Sequence, residues 1–369
     1  MKKHCISIVF LSFLAVLAVL FAVLPKDNYS ENEKRVLSDL PNITLASIAD
    51  SSWGKDFETY LADHFPLRTF FVGVDAYARQ MLGQNGHSGI YEGWDGYLLP
   101  VPAEIDEDQA VRNITIFADF VKNSGLPASI MAVPTAGHIM EKNLPLNHEP
   151  YSDGLIQDLI KEHAGEMEVI PLTSAFKEEK NQVYYRTDHH LTSGASYRMY
   201  QEFCNKFGKY PTPHSCKERY TGFYGTGYSK SGLWLKNSDV LEIWKPETEV
   251  DCTVTIHDTD SYGVYDSLYF PEHLNHLDKY PVFLDGNHGL VTIENHNRAN
   301  GKRLLLIKDS YAHCFATFAI SDYEQICMVD LRYYRNNVSD LIDKYGLTEI
   351  LYLYGIENLA TSTDIPWLQ

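Results

Sequence analysis

Two stretches of the chain hold side chains that could act together on a bond. The first is YYRTDHHLTSGASYRMYQEF, Tyr184–Phe203. After Thr192, a predicted N-cap, the apolar residues Tyr200, Phe203, Cys204 and Phe207 recur at helical spacing until Gly208 stops them. Asp188 and His190 therefore sit on the segment entering a helix. If that segment is extended, side chains two residues apart point the same way, so both can face one site while His189 points away. The second stretch is IKDSYAHCFATFA, in which Ser310 follows the strand-like run Arg303–Ile307 and opens a helix. A serine hydroxyl is a weak nucleophile unless a nearby imidazole takes its proton, and free amides at a helix start can hold an oxyanion. The chemistry these residues suggest is acyl transfer, with Ser310 as nucleophile, His190 as base, and Asp188 orienting the imidazole and favouring the imidazolium. The amide of Ser310 or Tyr311 is the candidate oxyanion donor. Arg332, just after another strand-like run, is predicted on the same edge of the sheet. It could contact an anionic substrate or an oxyanion, or form a surface ion pair, and the sequence leaves both open.

These residues need a scaffold, and the C-terminal third supplies its outline. Arg303–Ile307, Gln325–Val329 and Glu349–Tyr354 read as strands, separated by helices over Tyr311–Ile320 and Val338–Lys344. Earlier, a helix over Glu107–Asn123 precedes a buried strand at Ala128–Val133, and a helix over Gly154–His163 leads to a short strand at Val169–Ile170. Right-handed βαβ crossovers then give an α/β fold, a three-layer sandwich around a parallel sheet with functional residues at the carboxyl ends of its strands. Upstream, Gly54–Gln84 reads as two helices separated at Pro66, with Phe57, Tyr60, Leu61, Phe70, Val74, Tyr77 and Met81 on predicted buried faces. Asn85–Leu99 reads as short strands and turns. Tyr210–Leu284 holds 13 aromatic residues in 75 and is read as an elaboration of the sheet domain. Its aromatics are expected to fill a small β-rich core rather than to stack on sugars, and HLNH at His273–His276 is expected to be loop rather than a metal site.

Composition limits what the protein can be. With 369 residues, 44% of them hydrophobic and 22% charged, the chain is neither disordered nor a polytopic membrane protein. A net charge of −18 argues against a nucleic-acid partner, because phosphate binding is driven by Lys and Arg. From Cys5 to Leu24 the sequence carries no charge, which is long enough to span a hydrocarbon core as a helix. Lys2 and Lys3 would hold its start in the cytoplasm and send the rest outside. A cleavable signal peptide is the alternative, but Ala-Val-Leu-Pro is a poor cleavage site. Residues 1–25 are thus read as a signal anchor, 26–48 as a linker, and 49–369 as the extracytoplasmic domain. Setting Cys5 aside, five cysteines remain, with no CxxC and no zinc pattern. At least one must be unpaired within the chain, and a Cys204–Cys216 disulfide is open but not indicated.

Several blocks in order, NEKRVLSDLPNI (Asn32–Ile43), LADHFPLR (Leu61–Arg68), YYRTDHHLTSGASY, KRLLLIKDSYAHCF and MVDLRYY, resemble the DHHW family of bacterial surface proteins. That family is similar in turn to the SGNH-hydrolase-like domain of alginate O-acetyltransferase-type proteins. The resemblance covers most of residues 30–355, and only loosely Tyr210–Leu284. It implies that Asp188 and His190 are the Asp and His of a D-x-H motif and that Ser310 is the serine of a D-S motif. It also implies acyl-ester chemistry on a cell-surface polysaccharide, with O-acetyl transfer ahead of deacetylation by an esterase. A membrane-bound acyltransferase would be the partner supplying acetyl groups; no cofactor and no metal are expected. The implied location is the bacterial cell membrane, single-pass, with the globular domain outside. Two departures stand out: Leu191 replaces the Trp that ends the family motif, and Lys308 replaces the Gly of a hydrolase GDS block. Two rival readings remain. The letters DHH also mark manganese phosphoesterases, whose other motifs are missing here, and the chain could be a glycan-binding surface protein with an inactive triad.

Overall fold

The computed structural model describes residues 2–248, 250–257 and 262–368. Met1 of the expected anchor, Gln369 of the expected domain, and Glu249 and residues 258–261 of the aromatic-rich stretch lie outside the described residues. In chain order, the apolar helix α1 (Lys2–Val23) leads to a hairpin, β1 (Tyr29–Ser30) and β2 (Arg35–Val36), then to α2 (Leu45–Ala49), α3 (Ser52–Asp63) and α4 (Arg68–Met81). A second hairpin, β3 (Ile90–Glu92) and β4 (Leu98–Pro100), precedes the long α5 (Glu107–Ser124) and β5 (Ala128–Val133). The chain continues through α6 (Ala136–Ile139), α7 (Asp153–His163), β6 (Glu168–Val169), α8 (Thr173–Lys177) and α9 (Ser193–Lys206). Next come β7 (His214–Phe223), α10 (Thr226–Ser231), β8 (Asp239–Pro246), β9 (Cys252–His257) and β10 (Tyr262–Tyr265). The last third alternates β11 (Leu290–Asn295), β12 (Arg303–Lys308), α11 (Ala312–Ala319), β13 (Gln325–Val329), α12 (Ser339–Tyr345), β14 (Glu349–Gly355) and α13 (Ile356–Thr361).

The central sheet has the order β10-β9-β11-β13-β12-β14-β5-β6. The run from β13 to β6 is parallel, as the helix-strand alternation predicts. Beyond β13 the sheet continues with three antiparallel strands, β11, β9 and β10, so the whole is mixed. Strand β12 explains why the parallel part was readable. Leu304 and Leu306 join one apolar cluster and Leu305 and Ile307 the other, because successive side chains leave opposite faces of a strand. A strand covered on both faces is a continuous apolar run. Helices α9 and α11 pack together over one face, and α5, α7 and α13 over the other. The chain runs from β12 to β13 on one side, then crosses to β14 on the other. The carboxyl end of β12 is therefore a topological switch point, where open α/β sheets place their ligands.

The N-terminal region departs from expectation in two respects. Residues Ile6–Val23 of α1 form a helix long and apolar enough to cross a membrane. The stretch read as a linker, however, folds onto the body through ion pairs. Both Arg35 Nη atoms reach the Asp63 carboxylate, at 3.1 and 2.5 Å, and Ser38 adds its amide and hydroxyl. The Arg35 guanidinium holds the Asp63 carboxyl well below the usual carboxylate range despite burial. Glu33 accepts from Arg68 of α4, and Lys34 pairs with Asp278 at 2.5 Å. A segment fastened by charge has few apolar residues, and apolar pattern is what the linker reading relied on. The second departure is α4. Phe70, Val74 and Met81, predicted buried, are exposed. The packed side is instead the one carrying Gly73, where an added Cβ would lie 2.7 Å from the Trp234 ring, and Val72 and Ala76, which meet Gly232.

The aromatic-rich stretch does two jobs. Strands β7 and β8 form a separate two-stranded sheet, whereas β9 and β10 extend the main one. Phe223, Phe270, Tyr280 and Phe283 are buried in the larger cluster, while Tyr210 and Tyr262 are exposed. Cys204 and Cys216 are not joined by a disulfide.

Candidate active site

Asp188 and His190 occupy the tip of a short loop rather than an extended run. Tyr184 bridges to Leu191, and the Thr192 amide donates to Val183 O at 2.8 Å, closing the loop just before α9. Thr192 then caps that helix, as predicted, by accepting from the Ala195 amide. Asp239, from the start of β8, steadies the loop by accepting from the Arg186 and Thr187 amides and the Thr187 hydroxyl. The bend still brings the two predicted side chains together. His190 Nδ1 lies 2.5 Å from Asp188 Oδ1, and His190 Nε2 lies 2.8 Å from Ser310 Oγ. His189 does not point away: its ring centroid is 4.0 Å from that of His190.

The Asp188 carboxylate is fully engaged. Oδ1 also accepts from the His190 amide at 2.9 Å, and Oδ2 from the Thr226 amide at 2.6 Å. The approach of α10 requires Gly225, because a Cβ there would sit 2.2 Å from Asp188. Burial favours the neutral acid, but His190 and His189 outweigh it and hold the carboxyl well below its ordinary range. An ionised Asp188 accepts a hydrogen bond from His190 Nδ1–H, leaving the Nε2 lone pair to face the Ser310 hydroxyl. Burial, together with His190, lowers His189 to about 3, so its imidazole is neutral at physiological pH.

Ser310 is positioned by the residue before it. Asp309 Oδ2 accepts from the Gly355 amide at 2.8 Å and Asn358 Nδ2 at 2.7 Å, and Oδ1 accepts from the Tyr311 amide at 3.0 Å. The turn that carries Ser310 is thereby pinned to the end of β14 and to α13. This overturns half of the oxyanion expectation: the Tyr311 amide is spent on Asp309. The Ser310 amide, by contrast, has no protein acceptor among the described residues. Tyr311 contributes its ring, 5.4 Å from that of His190 and nearly edge-on, and a hydroxyl that donates to His189 O at 2.9 Å.

Arg332 takes the ion-pair alternative. Its Nε and Nη2 donate to the two oxygens of buried Asp330 at 2.9 and 2.6 Å. Asp330 also accepts from Lys308 at 2.9 Å, and the same buried ammonium donates to His313 Nε2 at 2.8 Å. Lys308, which departs from the hydrolase pattern, thus ties the end of β12 to the end of β13 and to α11. Arg332 lines a groove with Asn287, Tyr333 and Arg335.

Sequence reasoning missed Tyr280, whose ring stacks on His190 with centroids 3.7 Å apart and planes 6° from parallel. Its hydroxyl donates to Ser310 O at 3.3 Å. Nothing local to LDKYPVF signals this role, whereas the glycines of YGTGY could have flagged the close approach at Gly225. Beside Asp188, His190 and Ser310 lies a cleft of about 290 Å³ lined by His189, Tyr311, Thr226, Lys230, Tyr151 and Glu357. A larger groove of about 1120 Å³, lined by Tyr97, Lys142, Arg186 and Lys236 among others, contains none of the three triad residues. Ligand atoms of Asp188, His189 and His190 also lie within 4.8 Å of one another, as a metal site would require. With Asp188 bound to three N–H groups and His190 Nε2 directed at Ser310, the arrangement suits proton transfer better. Glu272, His273 and Asp285 form a second such trio, with His273 Nε2 2.5 Å from Asp285.

Residues 160–329 of the chain match the family described as DHHW protein. Among solved structures, a DHHW family protein from Eubacterium siraeum is 21% identical, with 76% of this chain and 95% of that one covered and a TM-score of 0.62. Bacillus cereus PatB1, solved with a sulfonyl adduct, is 18% identical over 74% of this chain and 97% of its own, with a TM-score of 0.63. The O-acetyltransferase domain of Pseudomonas putida AlgJ is more distant, 13% identical over 75% of this chain and 94% of its own, with a TM-score of 0.48. No curated protein matches the sequence. Residues 160–329 thus match the DHHW family model, and the fold of the α/β body is similar to those of the Eubacterium siraeum DHHW family protein and of PatB1.

Proposed function

We propose that this chain carries out acyl-ester chemistry outside the cytoplasm, moving O-acetyl groups onto a cell-surface polysaccharide through an acetyl-Ser310 intermediate. The observation that carries the reading is the relay from Ser310 Oγ to His190 Nε2, at 2.8 Å, and from His190 Nδ1 to Asp188, at 2.5 Å. Ser310 attacks the acetyl carbonyl while His190 takes its proton, and Asp188 favours the imidazolium. The Ser310 amide offers a hydrogen bond to the oxyanion. Collapse breaks the bond to the leaving oxygen, which takes the proton back from His190. A sugar hydroxyl, deprotonated by the same imidazole, then attacks acetyl-Ser310 and carries the acetyl group away. Water in place of the sugar would make the enzyme an esterase with the same intermediate.

The acetyl group, the polysaccharide acceptor and a membrane-bound acyltransferase as acetyl source come from the family resemblance. A single-pass location with the body outside is supported by the length and apolar character of α1 and by Lys2 and Lys3 preceding its apolar run. The test is turnover of a chromogenic acetyl ester by the full chain and by Ser310→Ala, with and without oligosaccharide acceptors. Serine-dependent release that shifts to acetylated sugar when acceptor is present supports transfer. Serine-dependent release that ignores every acceptor supports the esterase. Equal rates in the two folded proteins would refute the triad.

A further inference from the structure

We infer that α4 lies on the surface of the membrane that α1 crosses, with its outer apolar stripe sunk into the lipid interface. The stripe consists of Leu67, Phe70, Phe71, Val74, Met81 and Leu82, which are 61, 61, 37, 48, 88 and 76% exposed. Their spacing of three, four and seven residues puts them along one side of the helix. The other side of α4 is already packed on Gly232 and Trp234, and the stripe faces away from that contact, with Phe71 meeting the Phe65 ring edge-on while Phe70, Val74, Met81 and Leu82 stay exposed. A contiguous apolar patch of this kind marks a surface that is covered in use. Leu67 adds a local sign: it takes a left-handed backbone, φ 60°, in which a leucine is rare, and is turned outward there.

The path of the chain identifies what covers the stripe. Helix α1 ends at Val23 and β1 starts at Tyr29, a connection that reaches at most about 20 Å when extended. The hairpin that follows is fastened to α3 by Arg35–Asp63 and to α4 by Glu33–Arg68. Near the end of α1, the Phe21 ring meets that of Tyr60 of α3 edge-on, with centroids 6.0 Å apart. Tyr60 belongs to an aromatic row with Phe57 and Trp53 along the same helix. Aromatic rings of this kind concentrate at membrane–water interfaces. With α1 in a bilayer, α3 and α4 are therefore held at its surface, and lipid is the occupant that geometry brings to the stripe. The docked helix backs the segment joined to α10, whose first amide holds Asp188, so the site would work close to the bilayer.

This inference rests on α1 being retained as the anchor described above. It is tested on the full chain, reconstituted in phosphatidylethanolamine–phosphatidylglycerol vesicles, in a Cys5→Ser, Cys216→Ser background; Cys204, Cys252, Cys314 and Cys327 are buried. Nitroxides are attached at Phe70→Cys, Val74→Cys, Tyr210→Cys and Val16→Cys, and relaxation by oxygen, which enters lipid, is compared with relaxation by a water-soluble nickel chelate. Expected is an oxygen-to-nickel ratio at 70 and 74 several-fold above that at 210 and close to that at 16. Nickel access at 70 and 74 equal to that at 210, with 16 in lipid, overturns docking and leaves the anchor standing. Exclusion of both reagents from 70 and 74 points to a covering protein surface and also overturns it. Nickel access at 16 refutes the anchor, and docking with it.

Discussion

Replacing Asp188 by Asn tests the relay without changing its shape. The side chain receives two N–H donors from His190 on one oxygen, including Nδ1 at 2.5 Å, and one from Thr226 on the other. An asparagine oxygen is drawn to the side with two donors, so the imidazole keeps its tautomer and the amide nitrogen meets the Thr226 N–H. What is lost is the negative charge beside the imidazolium formed during attack. A unit pair about 4 Å apart at an effective dielectric of about 20 is worth about 4 kcal/mol. At about 1.4 kcal/mol per decade this predicts a loss of kcat/KM of about 10³-fold. The same loss should appear in kcat, because the imidazolium exists only after attack begins. The assay is steady-state turnover of a chromogenic acetyl ester near neutral pH, with thermal unfolding of both proteins as the control for folding. A kcat within tenfold of wild type, in a folded Asp188→Asn protein, would refute the assignment of Asp188 to the relay.

Other outcomes follow from the same geometry. Gly225→Ala places a methyl 2.2 Å from the Asp188 carboxylate and should lower turnover at least tenfold while costing about 1–3 kcal/mol of stability by chemical denaturation. Lys308→Met leaves Asp330 buried with Arg332 as its remaining cation, and should cost about 3 kcal/mol in the same measurement. Burial pushes Glu357 up to about 6, so its favourable contribution is present below the unfolded carboxyl range and lost as pH rises through about 6. Wild type should therefore lose about 2 kcal/mol relative to Glu357→Gln between pH 4 and pH 7, and parallel stability curves would contradict this.

The sequence exposed some layers of this structure and hid others for identifiable reasons. Strands β12, β13 and β14 were legible because burial on both faces leaves unbroken apolar runs. Strand β9 alternates buried and half-buried residues along CTVTIH, a half-covered pattern that was lost within its aromatic neighbourhood. Asp188, His190 and Ser310 could be named from residue type and position relative to predicted elements. Tyr280 and the Thr226 amide could not, since long-range packing of the most weakly matched stretch delivers them. The spent amide of Tyr311 was in principle readable, because an aspartate two residues earlier commonly takes such an N–H in a turn. On α4, periodicity revealed apolar stripes but not which one the protein itself covers.

The most direct test of the account is to quench the full chain in acid during acetyl-ester turnover and locate the acetyl group by peptide mass. A single acetyl group is expected on the peptide containing Ser310, absent from Ser310→Ala and greatly reduced in His190→Ala. Turnover at wild-type rate with no acetyl on Ser310, or with acetyl on another residue, would contradict it.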